Sequence, residues 1–154
     1  MPEYIFVSTP EEYAAAGILF QEYANELSID LCFQQFDEEL LSLPKMYAPP
    51  MGCIVLCKEN DSFVGSIAVR PKTDGVAELK RMYIQAPFRR KGIGKILLSK
   101  ALDFAKQAGH HTVRLDTLNT MEPAMQLYQQ NGFYTISAYY HNPEPTAVYF
   151  EKKL

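Results

Sequence analysis

A run of three cations and two glycines at residues 89–94, with the sequence RRKGIG, is the part of the chain whose residue types and spacing point most directly to chemistry. Apolar residues downstream recur at helical spacing, so the run lies where a helix begins. Helix N-termini expose unpaired N–H groups and carry partial positive charge, and glycine lets a ligand approach the backbone closely. The run therefore predicts a binding site for a ligand with more than one phosphate.

Three kinds of glycine-rich phosphate loop can be compared with this run. A dinucleotide fingerprint needs a third glycine where Leu97 stands, although Asp116 lies about where the ribose ligand is expected. A nucleoside-triphosphate loop needs a glycine where Arg89 stands and a Ser or Thr where Ile96 stands. The pattern that remains is Arg-x-x-Gly-x-Gly.

Arg89-x-x-Gly92-x-Gly94 resembles the acyl-CoA pyrophosphate loop of the GNAT superfamily of N-acetyltransferases. The segment 115–133, which ends in Leu-Tyr-x-x-x-Gly-Phe, resembles the second cofactor segment of that family. The two motifs lie about 40 residues apart, and the resemblance covers roughly residues 53–154. It implies an acetyl-CoA-dependent N-acetyltransferase, in which a primary amine attacks the thioester directly in a ternary complex and no metal takes part.

The resemblance also implies which residues contact acetyl-CoA. The end of one strand and the loop after it are expected to bind this cosubstrate: Met82, Tyr83, Ile84, Arg89, Arg90, Lys91, Gly92, Ile93, Gly94 and Lys95. Many relatives carry an asparagine where this chain has Met121, and Asn119 is the nearby residue that could substitute for it. Tyr128 matches the tyrosine whose hydroxyl approaches the cofactor sulfur, so it is the candidate acid; the alternative is a core aromatic.

Glu78 is the candidate base. A lysine-type amine titrates near ~10.4 and must lose a proton before it attacks the thioester. Glu78 lies eleven residues before Arg89, a spacing similar to that of the catalytic glutamate in the histone-acetylating branch of the superfamily. The alternatives are a strand glutamate paired with Lys80, which shares its face, and proton transfer through ordered water.

The acceptor is less well defined by the sequence. In the superfamily, the first two helices and the loops facing the sheet build the acceptor pocket, which makes six residues candidates: Asp30, Gln34, Gln35, Tyr47, Tyr140 and Asn142. The small size of the chain favours a small-molecule amine. A protein-lysine acetyltransferase, a catalytically inactive CoA-binding regulatory module and a dinucleotide-binding oxidoreductase are the alternatives, and a homodimer is compatible with all of them.

Composition narrows the class of protein further. The chain has 154 residues, which predicts one domain spanning 1–154. The net charge of −3 argues against nucleic-acid binding and is compatible with a cationic amine substrate. Three cysteines without a C-x-x-C pair, no signal-peptide pattern and no long apolar run predict a cytoplasmic protein without a membrane span. His110 and His111 have no partners at ligand spacing and are predicted to be surface residues rather than metal ligands.

Hydrophobic periodicity predicts the elements that position these residues. The first half is predicted to contain a strand at 4–7, a helix after the capping box at 9–12, a helix including Phe33 and Phe36, and a loop at 43–52. A hairpin of strands 53–59 and 63–69 around Asn60-Asp61 follows, and then a turn at 71–75. The second half is predicted to contain a strand at 77–84, a helix from 93, a strand at 112–116, a helix from about 122, and strands near 133–137 and 147–153. This order predicts an α/β fold with a mixed central sheet of six to seven strands and about four helices. The strands at 77–84 and 112–116 are joined by a helix and should be parallel, and the GNAT resemblance implies that this parallel pair splays apart at the cofactor site.

Overall fold

The computed structural model describes residues 1–27 and 35–154, and within them five α-helices and seven strands form a three-layer α/β fold. The strands are β1 (Glu3–Phe6), β2 (Cys53–Glu59), β3 (Ser62–Thr73), β4 (Val76–Ile84), β5 (Thr112–Leu118), β6 (Tyr134–Ile136) and β7 (Ala147–Lys153). The helices are α1 (Pro10–Leu27), α2 (Phe36–Leu41), α3 (Leu43–Met46), α4 (Ile93–Gln107) and α5 (Glu122–Gln130). The sheet order is β1-β2-β3-β4-β5-β7-β6, with β4 and β5 parallel and the other pairs antiparallel, which confirms the predicted mixed sheet.

Two local signals in the sequence fold as predicted. At the start of α1, the Glu12 N–H donates to the Thr9 hydroxyl at 3.2 Å and the Thr9 N–H donates to the Glu12 carboxylate at 3.1 Å, which is a reciprocal capping box. Between β2 and β3, Asn60 and Asp61 have φ values of 51° and 64°. Positive φ at both central residues is the geometry of a two-residue hairpin turn that matches the twist of the strands.

Two predicted boundaries were wrong. The stretch 43–52 was expected to be a loop throughout, but its first residues form the short helix α3, because Pro44 occupies the first turn, where proline is tolerated. The predicted turn 71–75 is shorter in the structure, since β3 continues to Thr73 and leaves Asp74 and Gly75 to reverse the chain. Phe33, Asp30 and Gln34 lie outside the described residues.

The sheet separates two hydrophobic clusters. One cluster packs the sheet against α4 and α5, and it contains Leu97, Leu98 and Phe133. The other packs the sheet against α1, α2 and α3, and it contains Leu19, Phe20 and Leu43. Helices therefore cover both faces, as a sheet with a parallel crossover requires.

A bulge in β4 changes which face its side chains occupy. Ser66 pairs with Tyr83 but Ala68 pairs with Lys80, so β4 carries an extra residue, and Arg81 has a φ of 60° at that point. A bulge disrupts the alternation of a strand locally. Arg81 consequently reaches the helix α2 side of the sheet, on the same side as Lys80 rather than opposite it.

Candidate active site

The parallel strands β4 and β5 pair over only three residues and then diverge. The last pair joins Glu78 to Arg114, and beyond it the strands enclose a space that we call the β4–β5 gap. Described residues from α1, both strands, α5 and the loop before β7 line this gap: Tyr23, Leu27, Leu79, Lys80, Arg81, Met82, Leu115, Asp116, Thr117, Leu118, Met121, Ala124, Tyr128 and Asn142. Strands that part leave main-chain groups without a sheet partner, so the gap suits an extended ligand that carries amide groups. The predicted splay is confirmed.

The N-terminus of α4 supplies main-chain donors next to the end of β4. The first intrahelical bond runs from the Ile96 N–H to the Gly92 carbonyl at 3.3 Å, so the N–H groups of residues 93–95 precede it. Gly92 has a φ of 83°, and a Cβ built there would meet no described atom within 4 Å beyond the adjoining backbone. A Cβ on Gly94 would lie 3.2 Å from Ile84 Cδ1. Close backbone approach to a ligand is thus possible at Gly92, and Gly94 lets α4 pack against β4.

The cations of the loop have different surroundings. Arg89 donates to both Glu26 carboxylate oxygens at 2.7 and 2.8 Å, and its Nε donates to the Ile84 carbonyl at 2.7 Å. Its guanidinium therefore ties the loop to α1 rather than projecting beside the α4 donors. Arg90 and Lys91 are exposed, and Arg90 also has a positive φ of 65°.

Tyr128 lies in the β4–β5 gap, as expected for the candidate acid. Its side chain is 7% exposed, and its hydroxyl lies 4.0 Å from the Met82 sulfur. Burial raises the pKa of Tyr128 well above its usual value, so the hydroxyl keeps its proton across the neutral and alkaline range. Its ring also packs against Phe133 and Phe150, so Tyr128 is both a core aromatic and a gap residue.

The remaining predicted cofactor residues divide by position. Met82 lines the gap. The Ile93 side chain is buried in the core at 2% exposure, so the main-chain N–H is the group of Ile93 that is available to a ligand. Tyr83 stacks edge-on with Tyr23 instead of lining the gap. Asn119 is exposed and does not line the gap, where Met121 stands at the start of α5. Lys95 is exposed in the first turn of α4.

Glu78, the candidate base, is buried in an ion-pair cluster. Its carboxylate accepts from Arg70 Nε at 2.8 Å and from the Tyr139 hydroxyl at 2.7 Å, and Lys80 Nζ lies at 3.9 Å. Burial acts to raise the pKa of Glu78, but the charges of Lys80 and Arg70 and the Tyr139 hydrogen bond hold it below its usual range. Glu78 is thus ionised at neutral pH. The predicted pairing with Lys80 is present, and Arg70 and Tyr139 also bind the carboxylate.

A second buried ion pair supports the bulge. Arg81 donates from Nε and Nη2 to the two carboxylate oxygens of Glu39 at 2.9 and 2.7 Å, and the Tyr47 hydroxyl donates to Glu39 at 2.9 Å. Burial acts to raise the pKa of Glu39, but its hydrogen bonds with Arg81 and the charge of that residue lower it below the usual range. A two-point pair of this kind fixes both side chains in one geometry.

A wider cleft lies beside the gap, on the α2 side of β3 and β4, and we call it the polar cleft. Its described lining consists of Gln35, Glu38, Glu39, Ser42, Lys45, Met46, Arg70, Lys72, Glu78, Lys80 and Tyr140. Among the described residues, Lys80 is the one that lines both the polar cleft and the β4–β5 gap. Burial lowers the pKa of Lys80 to about 8, so its amine titrates near neutral pH.

The structure sorts the predicted acceptor residues. Gln35 and Tyr140 line the polar cleft. Asn142 lines the β4–β5 gap and donates to the Tyr140 hydroxyl at 3.2 Å. Tyr47 is fully buried and supports Glu39 instead of reaching the cleft.

The prediction that His110 lies on the surface was wrong. His110 is 4% exposed because its Nε2 lies 3.0 Å from the Met51 carbonyl, in the loop before β2. His111 is exposed, with Nδ1 2.7 Å from the Thr112 hydroxyl. Within residues 1–27 and 35–154, no group of three His, Cys, Asp or Glu side chains is arranged to hold a metal ion. In the same described ranges, no helix has the length and apolarity needed to cross a membrane.

Several residues at the site were missed by sequence reasoning. Tyr23 of α1 received no site role from the sequence, yet it lines the β4–β5 gap, where burial raises its pKa to about 12. Arg81 is one of three charged residues in β4, and a charged residue within a buried strand is a signal of an ion pair. Its partner Glu39 follows two other acidic residues and carries no such signal.

Comparison with known proteins gives consistent matches. The sequence pattern described as Acetyltransferase (GNAT) family matches residues 17–133. An uncharacterised N-acetyltransferase from Schizosaccharomyces pombe is 35% identical over 150 residues, which are 96% of this chain and 92% of that protein. N-acetylaspartate synthetase from Rattus norvegicus is 29% identical over 130 residues, which are 82% of this chain and 44% of that protein.

Solved structures share the fold. An acetyltransferase of the GNAT family from Staphylococcus aureus Mu50 has a TM-score of 0.82 at 20% identity, and the match covers 99% of both chains. The PaiA N-acetyltransferase from Thermoplasma acidophilum, solved in complex with coenzyme A, has a TM-score of 0.76 at 18% identity and covers 100% of this chain and 99% of that one.

Proposed function

Because the chain belongs to the GNAT family of acetyltransferases, we propose that it transfers an acetyl group from acetyl-CoA to the primary amine of a small molecule by direct attack within a ternary complex. The observation that carries the proposal is the divergence of β4 and β5 after three pairs, next to the N-terminus of α4. Acetyl-CoA supplies an activated acyl group as a thioester. The gap suits its extended pantetheine arm, and the α4 donors suit its pyrophosphate.

Residues of the loop would bind the pyrophosphate chiefly through the main chain. The N–H groups from Arg90 to Lys95 surround the positive-φ residue Gly92, where a ligand can approach. Arg90 and Lys91 add charge from exposed positions. Arg89 contributes indirectly, because its bonds to Glu26 and Ile84 hold the loop.

Tyr128 is proposed as the acid that serves the departing thiolate. Its position in the gap, against the Met82 sulfur, supports this role. Because its pKa is raised, the hydroxyl keeps its proton at neutral pH and can donate a hydrogen bond to sulfur, although it is a weaker acid than an ordinary tyrosine. The competing role is packing alone against Phe133 and Phe150.

Glu78 is proposed as the group that receives the amine proton, directly or through water. It is ionised and lines the polar cleft. Its lowered pKa makes it a weak base, because efficient proton acceptors have a pKa near the working pH. The competing role is to neutralise Arg70 and Lys80 in the cluster.

The polar cleft supports a small-molecule acceptor over a protein lysine. Its volume of about 580 Å³ falls within the roughly 300–1,000 Å³ of small-molecule sites. The name of the rat relative, N-acetylaspartate synthetase, is also that of a small-molecule enzyme. A protein-lysine acetyltransferase and an inactive CoA-binding module remain the competing functions.

Two measurements test the proposal. Calorimetric titration with acetyl-CoA and with NAD is expected to give binding of acetyl-CoA alone. Release of CoA thiol is then followed with small amines, polyamines and lysine peptides. We expect turnover with a small amine. Preference for the peptides would favour the protein-lysine function, and acetyl-CoA binding without thiol release from any amine would favour the inactive module.

A further inference from the structure

The polar cleft carries more positive than negative charge, although the whole chain has a net charge of −3. Its described lining contains four basic side chains, Lys45, Arg70, Lys72 and Lys80, and three acidic ones, Glu38, Glu39 and Glu78. The charge of a whole protein does not set the potential inside one cleft, because nearby charges dominate there. The distribution of partners within the cleft therefore decides what it attracts.

Both buried carboxylates of the cleft are already neutralised by arginine. Glu39 is held by two hydrogen bonds from Arg81, and Glu78 accepts one from Arg70. Lys80, at 3.9 Å from Glu78, adds a second cation to that carboxylate. The buried part of the cleft thus has no excess negative charge with which to hold a cationic ligand.

Two lysines of the cleft have no carboxylate within ion-pair distance among the described residues, although the charge of Lys72 helps to lower the pKa of Glu78. Within 1–27 and 35–154, the ion pairs involve neither Lys45 nor Lys72. Lys72 Nζ instead lies 5.8 Å and 5.5 Å from the ring centroids of Tyr139 and Tyr140. Contact with two rings holds an ammonium in place without cancelling its charge.

The charge of Arg70 is already paired with Glu78, so Arg70 adds hydrogen-bond donors rather than an uncompensated charge to the cleft. Its Nε is bonded to Glu78, and its side chain is 26% exposed, so the terminal nitrogens lie at the cleft surface. Ala68 pairs with Lys80 and Arg70 pairs with Glu78, which makes Arg70 and Lys80 diagonal neighbours. Such neighbours are roughly 7–8 Å apart, a span that a small molecule bridges.

From this arrangement we infer that the amine acceptor also carries a carboxylate, as a free amino acid does. The amine would lie at the Lys80 end, next to the β4–β5 gap, and the carboxylate near Arg70 and Lys72. The amine nitrogen forms the new bond to the acetyl carbon, the thioester C–S bond breaks, the amine proton leaves and the thiolate takes up a proton; the carboxylate is unchanged. This inference rests on the proposed function and replaces the cationic acceptor that the net charge suggested.

The experiment compares acceptors that differ in the carboxylate. Free L-amino acids are assayed beside their carboxamides and their decarboxylated amines, with CoA thiol release measured over a pH series so that kcat/KM can be expressed per neutral amine. A hydrogen-bonded charged contact predicts that the acids exceed the matched carboxamides by roughly 10- to 100-fold in kcat/KM. Carboxamides or decarboxylated amines that equal or exceed the acids would overturn the inference and leave acetyl transfer intact.

Variants of the unpaired lysines provide the second arm. In Lys45→Gln/Lys72→Gln, kcat/KM for the acids is expected to fall by roughly 10-fold or more relative to that for the matched carboxamides. Lys106→Gln, at an exposed position in the last turn of α4, is the matched control. Equal losses for acids and carboxamides would contradict carboxylate recognition. Absence of thiol release with every amine would instead contradict the proposed function, and this inference with it.

Discussion

Main-chain groups dominate the side of the site that we propose binds acetyl-CoA, whereas charged side chains from distant segments build the polar cleft. The first side depends on Gly92, the start of α4 and the parting of β4 from β5. The second depends on pairs such as Glu39 with Arg81, which are 42 residues apart in sequence. A family can keep the first side while the second changes, because substitutions alter side chains and leave main-chain donors in place. The proposed function therefore assigns acceptor specificity to the cleft.

In the β4–β5 gap, the largest expected effect is the loss of turnover in Tyr128→Phe, a substitution that removes only a hydroxyl. If this hydroxyl protonates the thiolate, kcat should fall by roughly 10²–10⁴-fold, with acetyl-CoA affinity little changed. Because its pKa is raised, the wild-type pH profile should show no alkaline loss from this group between about pH 7 and 10. Steady-state kinetics should be run beside Tyr13→Phe, a hydroxyl removal on the first turns of α1. Wild-type turnover, with chemistry rate-limiting, would leave Tyr128 a packing residue.

In the polar cleft, the largest expected effect of a substitution is on the free energy of unfolding. Glu39→Gln leaves the buried Arg81 without its counter-charge, which should lower the free energy of unfolding by about 3–5 kcal/mol at neutral pH. Glu38→Gln, at the exposed neighbouring position, should stay within about 0.5 kcal/mol of wild type. Chemical denaturation measures both.

The pH dependence of that difference has a definite sign. The folded pKa of Glu39 is lowered, so its contribution is present above the unfolded value of about 4.3. It is lost as the pH falls from that value through the folded pKa. The difference in free energy of unfolding between wild type and Glu39→Gln should therefore decrease in acid. A difference that persists unchanged at low pH would contradict the ion-pair account.

A smaller effect on turnover is expected from Glu78, which lies in the polar cleft beside the β4–β5 gap. If Glu78 accepts the amine proton, Glu78→Gln should reduce turnover by roughly 10²-fold near pH 7, the low end for a general base, since its pKa is lowered by Lys80 and Arg70 against the opposing effect of burial. Activity should recover in part at high pH, where more of the acceptor is neutral. Asp103→Asn, on the exposed face of α4, is the control for loss of one carboxylate. A changed stability with an unaltered pH–rate profile would assign Glu78 to the ion-pair cluster alone.

The fold and the glycine-containing turn before α4 were predictable because their signals are local. A glycine pair at a helix start, a capping box at Thr9 and Glu12 and a hairpin turn at Asn60 and Asp61 each depend on a few adjacent residues. The prediction that β4 and β5 splay apart came from the family resemblance, because no pattern in either strand shows where their pairing stops.

The rest of the site depends on contacts between distant segments. Arg89 is predicted to add charge for the pyrophosphate, and its guanidinium also binds Glu26 of α1, a contact between distant segments that the sequence does not show. His110 follows a helix and was expected at the surface, yet the Met51 carbonyl covers it. The bulge at Arg81 changes the face of a side chain, and no local pattern in the sequence of β4 marks where it occurs.

The most direct test of the account is whether main-chain geometry at Gly92 controls cofactor affinity. Gly92 and Gly109 both have positive φ and open space around a built Cβ, at opposite ends of α4. A valine at either position meets a similar backbone strain of about 1–2 kcal/mol, so Gly109→Val is a matched control. Calorimetric titration should show acetyl-CoA bound at least roughly 10-fold more weakly by Gly92→Val and with wild-type affinity by Gly109→Val. Wild-type affinity in a folded Gly92→Val protein, or equal losses in the two variants, would contradict the account.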